Sequence, residues 1–155
     1  MTKCIAKPGQ AIDKEKNPLF TTEKFSKDNI IVTLKDIRID SKVSAHCFLF
    51  SIIVDNKDAG EFTILQEPDF NKIPYQGNIG AEIFPDQRGH DLSPTVLFML
   101  LPFCKEIGLS KLLITTDPDN KAIKKICENM GASYLDTLEA NEDNSEKVRY
   151  VLEGF

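Results

Sequence analysis

At Pro85 the chain switches from strand periods alone to helix periods alternating with strands, and that switch constrains the fold more than any other feature of the sequence. Before it, apolar residues come in short β-branched runs, Ile30 to Leu34, Ile37 to Ile39 and the continuous stretch His46 to Val54, each of strand length. The cluster Asp55-Asn56-Lys57-Asp58-Ala59-Gly60 turns the chain back into Glu61 to Gln66 as a hairpin. Glu67 to Gln76, with Pro68 and Pro74, reads as a loop, and Gly77 to Phe84 as another strand stopped by Pro85. Beyond Pro85, helices alternate with strands. Ser93-Pro94 reads as an N-cap with Pro at the first helical position, and the apolar residues to Ile107 form a helix buried nearly all round, kinked at Pro102 and stopped at Gly108. Lys111 to Thr116 is a strand, and Asp117-Pro118-Asp119-Asn120 opens a second helix that closes at Gly131. Its Ile123, Ile126, Cys127 and Met130 face inward, and Lys121, Lys124 and Lys125 face out. Ser133 to Leu138 and Val148 to Leu152 are two last strands across the acidic loop Glu139 to Glu146. The sum is an α+β domain, an antiparallel meander continued by strand, helix, strand, helix, strand, strand, in a mixed, mostly antiparallel sheet flanked by helices.

Residues 1–28 are polar, carry Pro8, Gly9 and Pro18 and show neither period, so they are expected to form an arm pinned by Leu19, Phe20 and Phe25. Residues 29–155 are one domain, and a chain of 155 residues buries roughly 70% of its unfolded surface without staples. A formal net charge of −5 argues against partners such as nucleic acid or an anionic membrane surface. The longest apolar run, Val96 to Cys104, is far short of the roughly 20 residues a bilayer helix needs. No apolar stretch follows Lys3 and Lys7, so no secretory signal is expected. Cys4, Cys47, Cys104 and Cys127 are scattered without a C-x-x-C and read as reduced thiols of a cytoplasmic protein. With His46 and His90 as the only histidines, no metal site is expected.

A strand, a short loop and a helix start place free backbone N–H groups and a helix dipole where they can hold a phosphate. Here the loop is Pro85-Asp86-Gln87-Arg88-Gly89-His90-Asp91-Leu92-Ser93. With the strand end Ile83-Phe84-Pro85 and the downstream segment IGLSKLLITTDPDNKAIKKICENMGA, it resembles the GNAT superfamily of acetyl-CoA-dependent N-acetyltransferases, from about Gly77 to Gly131 and more loosely to the end. The family's pyrophosphate loop is (Arg/Gln)-x-x-Gly-x-(Gly/Ala). Arg88 fills its first position, whereas Asp91 and Ser93 stand where the family has small residues.

The resemblance implies transfer of acetyl from acetyl-CoA to a small-molecule or protein amine by direct attack, in a monomer or homodimer. It places Arg88 and the N–H groups of Gly89, His90, Leu92 and Ser93 around the pyrophosphate, and the backbone of Ile83 and Phe84 along the pantetheine arm. Asn120 would touch the cofactor, and Lys121 and Lys124 would reach its outer phosphate. Glu82 is the candidate base, acting through water. The helical Tyr that many members use as acid is replaced by Cys127, which is expected to pack rather than react, and Tyr134 and Tyr150 are the substitute acids. The family's helix pair between its first strands is reduced or absent, since eleven residues separate Leu34 from His46. Asp91 leaves two readings open: a carboxylate pointing to solvent beside a working loop, or one that caps the helix in a catalytically silent GNAT-like domain binding a partner or another ligand.

A carboxylate roughly 4 Å from a phosphate costs on the order of 1 kcal/mol in water and about 4 kcal/mol at an effective dielectric near 20. Asp91→Gly is therefore expected to bind CoA more tightly than the parent by calorimetry, with a gain that shrinks as salt is raised. Unchanged or weaker binding in a folded variant means that the carboxylate faces away from the ligand.

Overall fold

The computed structural model describes residues 24–88 and 92–155. Five antiparallel strands come first and lie in chain order: β1 (Lys24–Lys27), β2 (Ile30–Ile39), β3 (His46–Val54), β4 (Lys57–Leu65) and β5 (Ile79–Ile83). They are followed by α1 (Leu92–Glu106), β6 (Lys111–Thr116), α2 (Lys121–Asn129), β7 (Ser133–Leu138) and β8 (Lys147–Glu153). The last three strands make a second antiparallel sheet in the order β6-β8-β7.

The elements follow from local chemistry. β3 is the central strand of its sheet and is buried on both faces along Cys47 to Phe50, which is why its sequence lacks alternation. Asp55 and Asn56 both have positive φ (51° and 64°), the primed turn that matches strand twist, so β4 starts at Lys57, four residues before the expected strand. Gly60 sits at a bulge with φ +145°, and a Cβ there would collide with the Glu82 carbonyl oxygen. The β2–β3 connection is only residues 40–45. Asp40, 2% exposed, folds it by accepting the Lys42 N–H at 2.9 Å, so no helix pair stands between these strands. Residues 1–23 of the expected arm lie outside the described residues, but Lys24–Lys27 form the edge strand β1 against β2. Phe25 of β1 stands edge-on to Phe50 and Phe103, centroids 6.3 and 6.2 Å away, so this end of the region belongs to the domain.

α1 starts at Leu92, one residue before the expected cap, which puts Ser93 and Pro94 in its first turn, and it continues through Pro102 to Glu106. It is not buried all round. Val96, Leu97, Leu100, Phe103 and Cys104 face the core, while Phe98 is 56% exposed, because the helix lies on one face of the first sheet. Phe103 anchors it with edge-on contacts to Phe48 and Phe50, both at 5.2 Å. α2 begins as its sequence predicts: the Asn120 side chain accepts the Ile123 N–H at 3.1 Å, and Gly131 (φ +83°) follows its C-terminus. Cys47 is disulfide-bonded, which corrects the expectation of a reduced thiol there; Cys104 and Cys127 are free and buried.

The α1 crossover returns the chain so that β6 runs beside β5 in the same direction, yet the two belong to separate sheets. They are fastened at one end by Asn78, which is fully buried. Its backbone N–H donates to the Leu113 carbonyl at 2.8 Å, and its side-chain oxygen accepts the Leu113 N–H at 2.7 Å. The side-chain amide donates to the carbonyls of Leu65 and Glu67, both at 2.9 Å, which ties the end of β4 and the following loop to the same point. Gly77 beside it has φ +66°, and a Cβ there would stand 2.6 Å from the Leu113 oxygen. Past this junction β5 and β6 diverge.

Asn78→Ala leaves the Leu113 N–H and the Glu67 carbonyl without these partners, at about 1–3 kcal/mol each, while the Leu65 carbonyl keeps the Glu67 N–H at 3.0 Å. Both Asn78→Ala and Asn78→Asp are expected to lose about 3 kcal/mol or more in urea unfolding, the second because it turns a carboxylate oxygen toward the Leu65 and Glu67 carbonyls. Exposed Asn71→Ala should stay within about 0.5 kcal/mol of the parent. A parent-like midpoint for Asn78→Ala would remove the junction from this account.

Candidate functional site

The divergence of β5 and β6 opens a cavity of about 180 Å³. Its strand walls are Ile79 and Ala81 of β5 and Ile114, Thr115 and Thr116 of β6, with Phe62 of β4 behind. Ser93, Pro94 and Leu97 close it from α1, and Ile123, Ile126, Cys127 and Met130 close it from α2. Polar groups gather at the rim, where Asp117 and Asn120 precede α2 and Lys147 begins β8. The result is an apolar slot with a polar mouth, the usual form of a small-molecule site.

One wall of the slot is a strand edge. Phe84 donates its N–H to the Ala59 carbonyl at 2.9 Å, and the β4–β5 register pairs Glu61 with Glu82 and Phe62 with Ala81. Since bonded and non-bonded pairs alternate along an antiparallel ladder, Glu82 and Phe84 turn their backbone groups to β4, whereas Ala81 and Ile83 turn theirs toward β6. The Ile83 carbonyl accepts the Nε–H of Arg88 at 3.0 Å. An extended ligand arm entering the slot would therefore meet backbone donors and acceptors on one side and aliphatic side chains on the others.

Several residues singled out in the sequence converge here. Ser93 and Asn120 line the slot, Ile83 continues its edge, and Arg88 reaches back to that edge. Phe84 is turned to β4 through its backbone, with its side chain 37% exposed. Leu92 is buried in the core as the first residue of α1. Lys124 lies on α2, its N–H donating to the Asn120 carbonyl at 3.2 Å, and it does not line the slot. Gly89, His90 and Asp91 lie outside the described residues. Glu82 is exposed on the face of β5 opposite Ile79 and Ala81. Tyr134, on the edge strand β7, is 61% exposed with its hydroxyl 2.9 Å from the Thr137 hydroxyl. Tyr150 is buried on β8 between Ile114 and Tyr134, its ring edge-on to Tyr134 at 6.0 Å. Burial pushes its hydroxyl pKa up, and the nearby Glu128 and Cys127 add to the shift. Asn78, Asp117 and Lys147 also belong to this region, and no local sequence pattern marks them. Asp117 and Lys147 are 30 residues apart in the chain and form an ion pair at 2.7 Å.

Cys127 packs into the slot wall, and burial, helped by Glu128, pushes its thiol up to about 11. It is a neutral thiol at physiological pH and a poor nucleophile. Two carboxylates are shifted the other way. The hydrogen bond and charge of Lys147 hold Asp117 below 3.8, and Arg149, bonded to Asp136 at 2.6 and 2.7 Å, does the same for Asp136. Arg149 is raised in return and also donates to the Pro74 carbonyl at 3.4 Å, fastening the loop before β5 to the second sheet. Among the described residues there is no group of His, Cys, Asp and Glu that could hold a metal ion, and no helix long and apolar enough to cross a membrane.

This architecture, an antiparallel meander joined through a helix crossover to a second sheet with a splayed parallel pair between them, is a fold shared with solved acetyltransferases. No family model and no curated sequence matches the chain; the likeness is to solved structures. An acetyl transferase from Salmonella typhimurium that modifies the N-terminal serine of the 50S ribosomal subunit protein L7/L12 superposes with a TM-score of 0.55 at 18% identity, over 70% of this chain and 64% of that one. The microcin C7 self-immunity acetyltransferase MccE, solved with acetyl-CoA and AMP, gives 0.55 at 16% identity, over 69% of this chain and 61% of that one. A T. thermophilus protein provisionally classed as an acetyltransferase gives 0.61 at 13% identity, over 85% and 89%. The chain thus spans somewhat less than two thirds of the Salmonella and MccE chains.

The sign of the carboxylate shifts sets an acid limit. Asp117 and Asp136 have lowered folded-state pKa values, so their contribution to stability is complete above about pH 5 and is lost as pH falls through 3.8 and below. Urea midpoints are expected to drop from pH 5 to pH 3. Asp117→Asn combined with Asp136→Asn should be less stable at pH 7 and lose less over that interval; an equal drop in both proteins would show that these pairs do not set the limit.

Proposed function

We propose that the chain is an N-acetyltransferase that moves acetyl from acetyl-CoA directly to an amine on a small molecule or a protein. The observation that carries this reading is the slot beyond the Asn78 junction: two parallel strands tied at one end and open at the other, one of them offering its backbone edge to an apolar channel. The channel suits an extended arm that alternates amides with methylenes. The backbone of Ala81 and Ile83 would pair with its amides, and Leu97, Ile114, Ile126 and Met130 would enclose its methylenes and exclude water. The first turns of α1 and α2, with Ser93 and Asn120, direct positive helix ends at the mouth, where phosphates would sit. The architecture shared with MccE, which is solved with acetyl-CoA, supports the same ligand. When bound, acetyl-CoA supplies an activated thioester carbonyl.

Cys127 supports direct attack. It is the cysteine in the slot wall, and a thiol raised to about 11 stays protonated at neutral pH, so an acyl-cysteine route has no nucleophile there. Tyr150, protonated at neutral pH beside Cys127, is the acid candidate on the α2 side, with the more exposed Tyr134 next to it. Glu82 is the base candidate, acting through water from the outer face of β5. A cytoplasmic location belongs to the same reading and rests on the acyl donor.

Acetyl-CoA at 100 times its dissociation constant should stabilise the fold by about 2.7 kcal/mol, a shift readable by thermal unfolding. Turnover with an amine panel should follow in Cys127→Ala as in the parent, with no acetyl adduct on the intact protein by mass spectrometry. Absence of binding at millimolar acetyl-CoA removes the reading. Binding without turnover on any amine leaves a silent ligand-binding domain.

A further inference from the structure

We propose that Lys147 is the anion ligand of the slot: its ammonium binds a phosphate of the acyl-CoA by exchange with Asp117, which holds it in the free protein. The inference rests on the acetyl-CoA reading above and assigns a residue outside the loop that precedes α1. Among the described residues that line the slot, Lys147 is the one basic side chain and Asp117 the one acidic side chain. The pairing of Thr116 with Val148 brings the residue after β6 beside the first residue of β8, and the two charges meet at 2.7 Å.

The pair is asymmetric in a way that suits exchange. The Lys147 side chain is 16% exposed, its stem held against the protein, whereas that of Asp117 is 59% exposed. The carboxylate can therefore turn into water at little cost, while the ammonium remains at the mouth and has to find another anion. The surroundings favour a phosphate over the carboxylate it displaces. Ser93 in the first turn of α1 and Asn120 at the cap of α2 stand at the same slot, so two helix N-terminal ends and one cation converge on it. The depth of the slot is apolar, which lets an uncharged arm enter and stops the charged part at the rim.

The test is calorimetry of acetyl-CoA and of S-acetylpantetheine, which lacks the phosphates, against the parent, Lys147→Met and Asp117→Asn. Lys147→Met is expected to weaken acetyl-CoA binding roughly ten- to hundredfold and to leave S-acetylpantetheine unchanged, as loss of one charge-assisted contact requires. Asp117→Asn is expected to tighten acetyl-CoA binding a few-fold, with a gain that fades at high salt, and again to leave S-acetylpantetheine unchanged. Should Lys147→Met fail to fold, Lys147→Gln and the Asp117→Asn result decide the matter. Equal acetyl-CoA affinity in parent and Lys147→Met, equal losses for both ligands, or weaker acetyl-CoA binding in Asp117→Asn overturns the proposal while the parent's own binding keeps the transferase reading. A parent that binds neither ligand instead overturns the reading on which the proposal stands.

Discussion

The hydrogen bonds of Asn78 are the constraint on which the rest of the molecule depends. A buried asparagine with its oxygen and both amide hydrogens engaged fixes the separation of β4, the loop after it and β6 at a single point. A continuous parallel ladder between β5 and β6 would have satisfied their backbone groups in the ordinary way and left no channel. One side-chain clip, followed by divergence, instead leaves the edge of β5 open to a ligand. Gly77 permits this, since any side chain there would press on the Leu113 carbonyl. Arg149, bonded to Asp136 and to the Pro74 carbonyl, braces the same loop from the second sheet. The channel is thus a consequence of where pairing stops, and the pairing stops because polar groups are fully satisfied at its start.

The two faces of the channel then divide the work by physical chemistry. Its depth is walled by aliphatic residues and by a cysteine whose burial keeps it protonated, so it encloses without reacting. Its mouth gathers two helix starts and the Asp117–Lys147 pair, whose charges sit where solvent still reaches. Opposite demands, dry walls for a neutral arm and a charged rim for an anion, are met within a few residues because β6 ends and α2 begins at the mouth.

Most of the element order was legible in the sequence, because strand length, turn residues and helix caps are local signals. β6 and β7 fall where their apolar runs place them, and Asn120 caps α2 as its position before Ile123 implies. The edge strand β1 was not legible: Lys24–Lys27 is polar except for Phe25, and its strand state comes from pairing with β2 and from the aromatic contacts of that ring. The exposure of Phe98 was hidden for a related reason, since an apolar residue on a helix does not say whether anything covers it. The site was legible only in outline. Asn78 reads locally as a turn residue after Gly77, and its role appears only when β6 arrives 35 residues later. Asp117 and Lys147 meet through strand register in the second sheet, a long-range fact that no motif encodes.

The central claim, that the splay held open by Asn78 is the acyl-donor channel, is tested most directly by a crystal structure of the protein with CoA. The extended arm is expected between β5 and β6, its amides bonded to the backbone of Ala81 or Ile83, with the bonds between Asn78 and Leu113 intact. The contradicting result is a β5–β6 ladder closed by direct backbone bonds, or CoA bound elsewhere, for instance in the separate hollow bounded by Asn29, Val54 and Leu92.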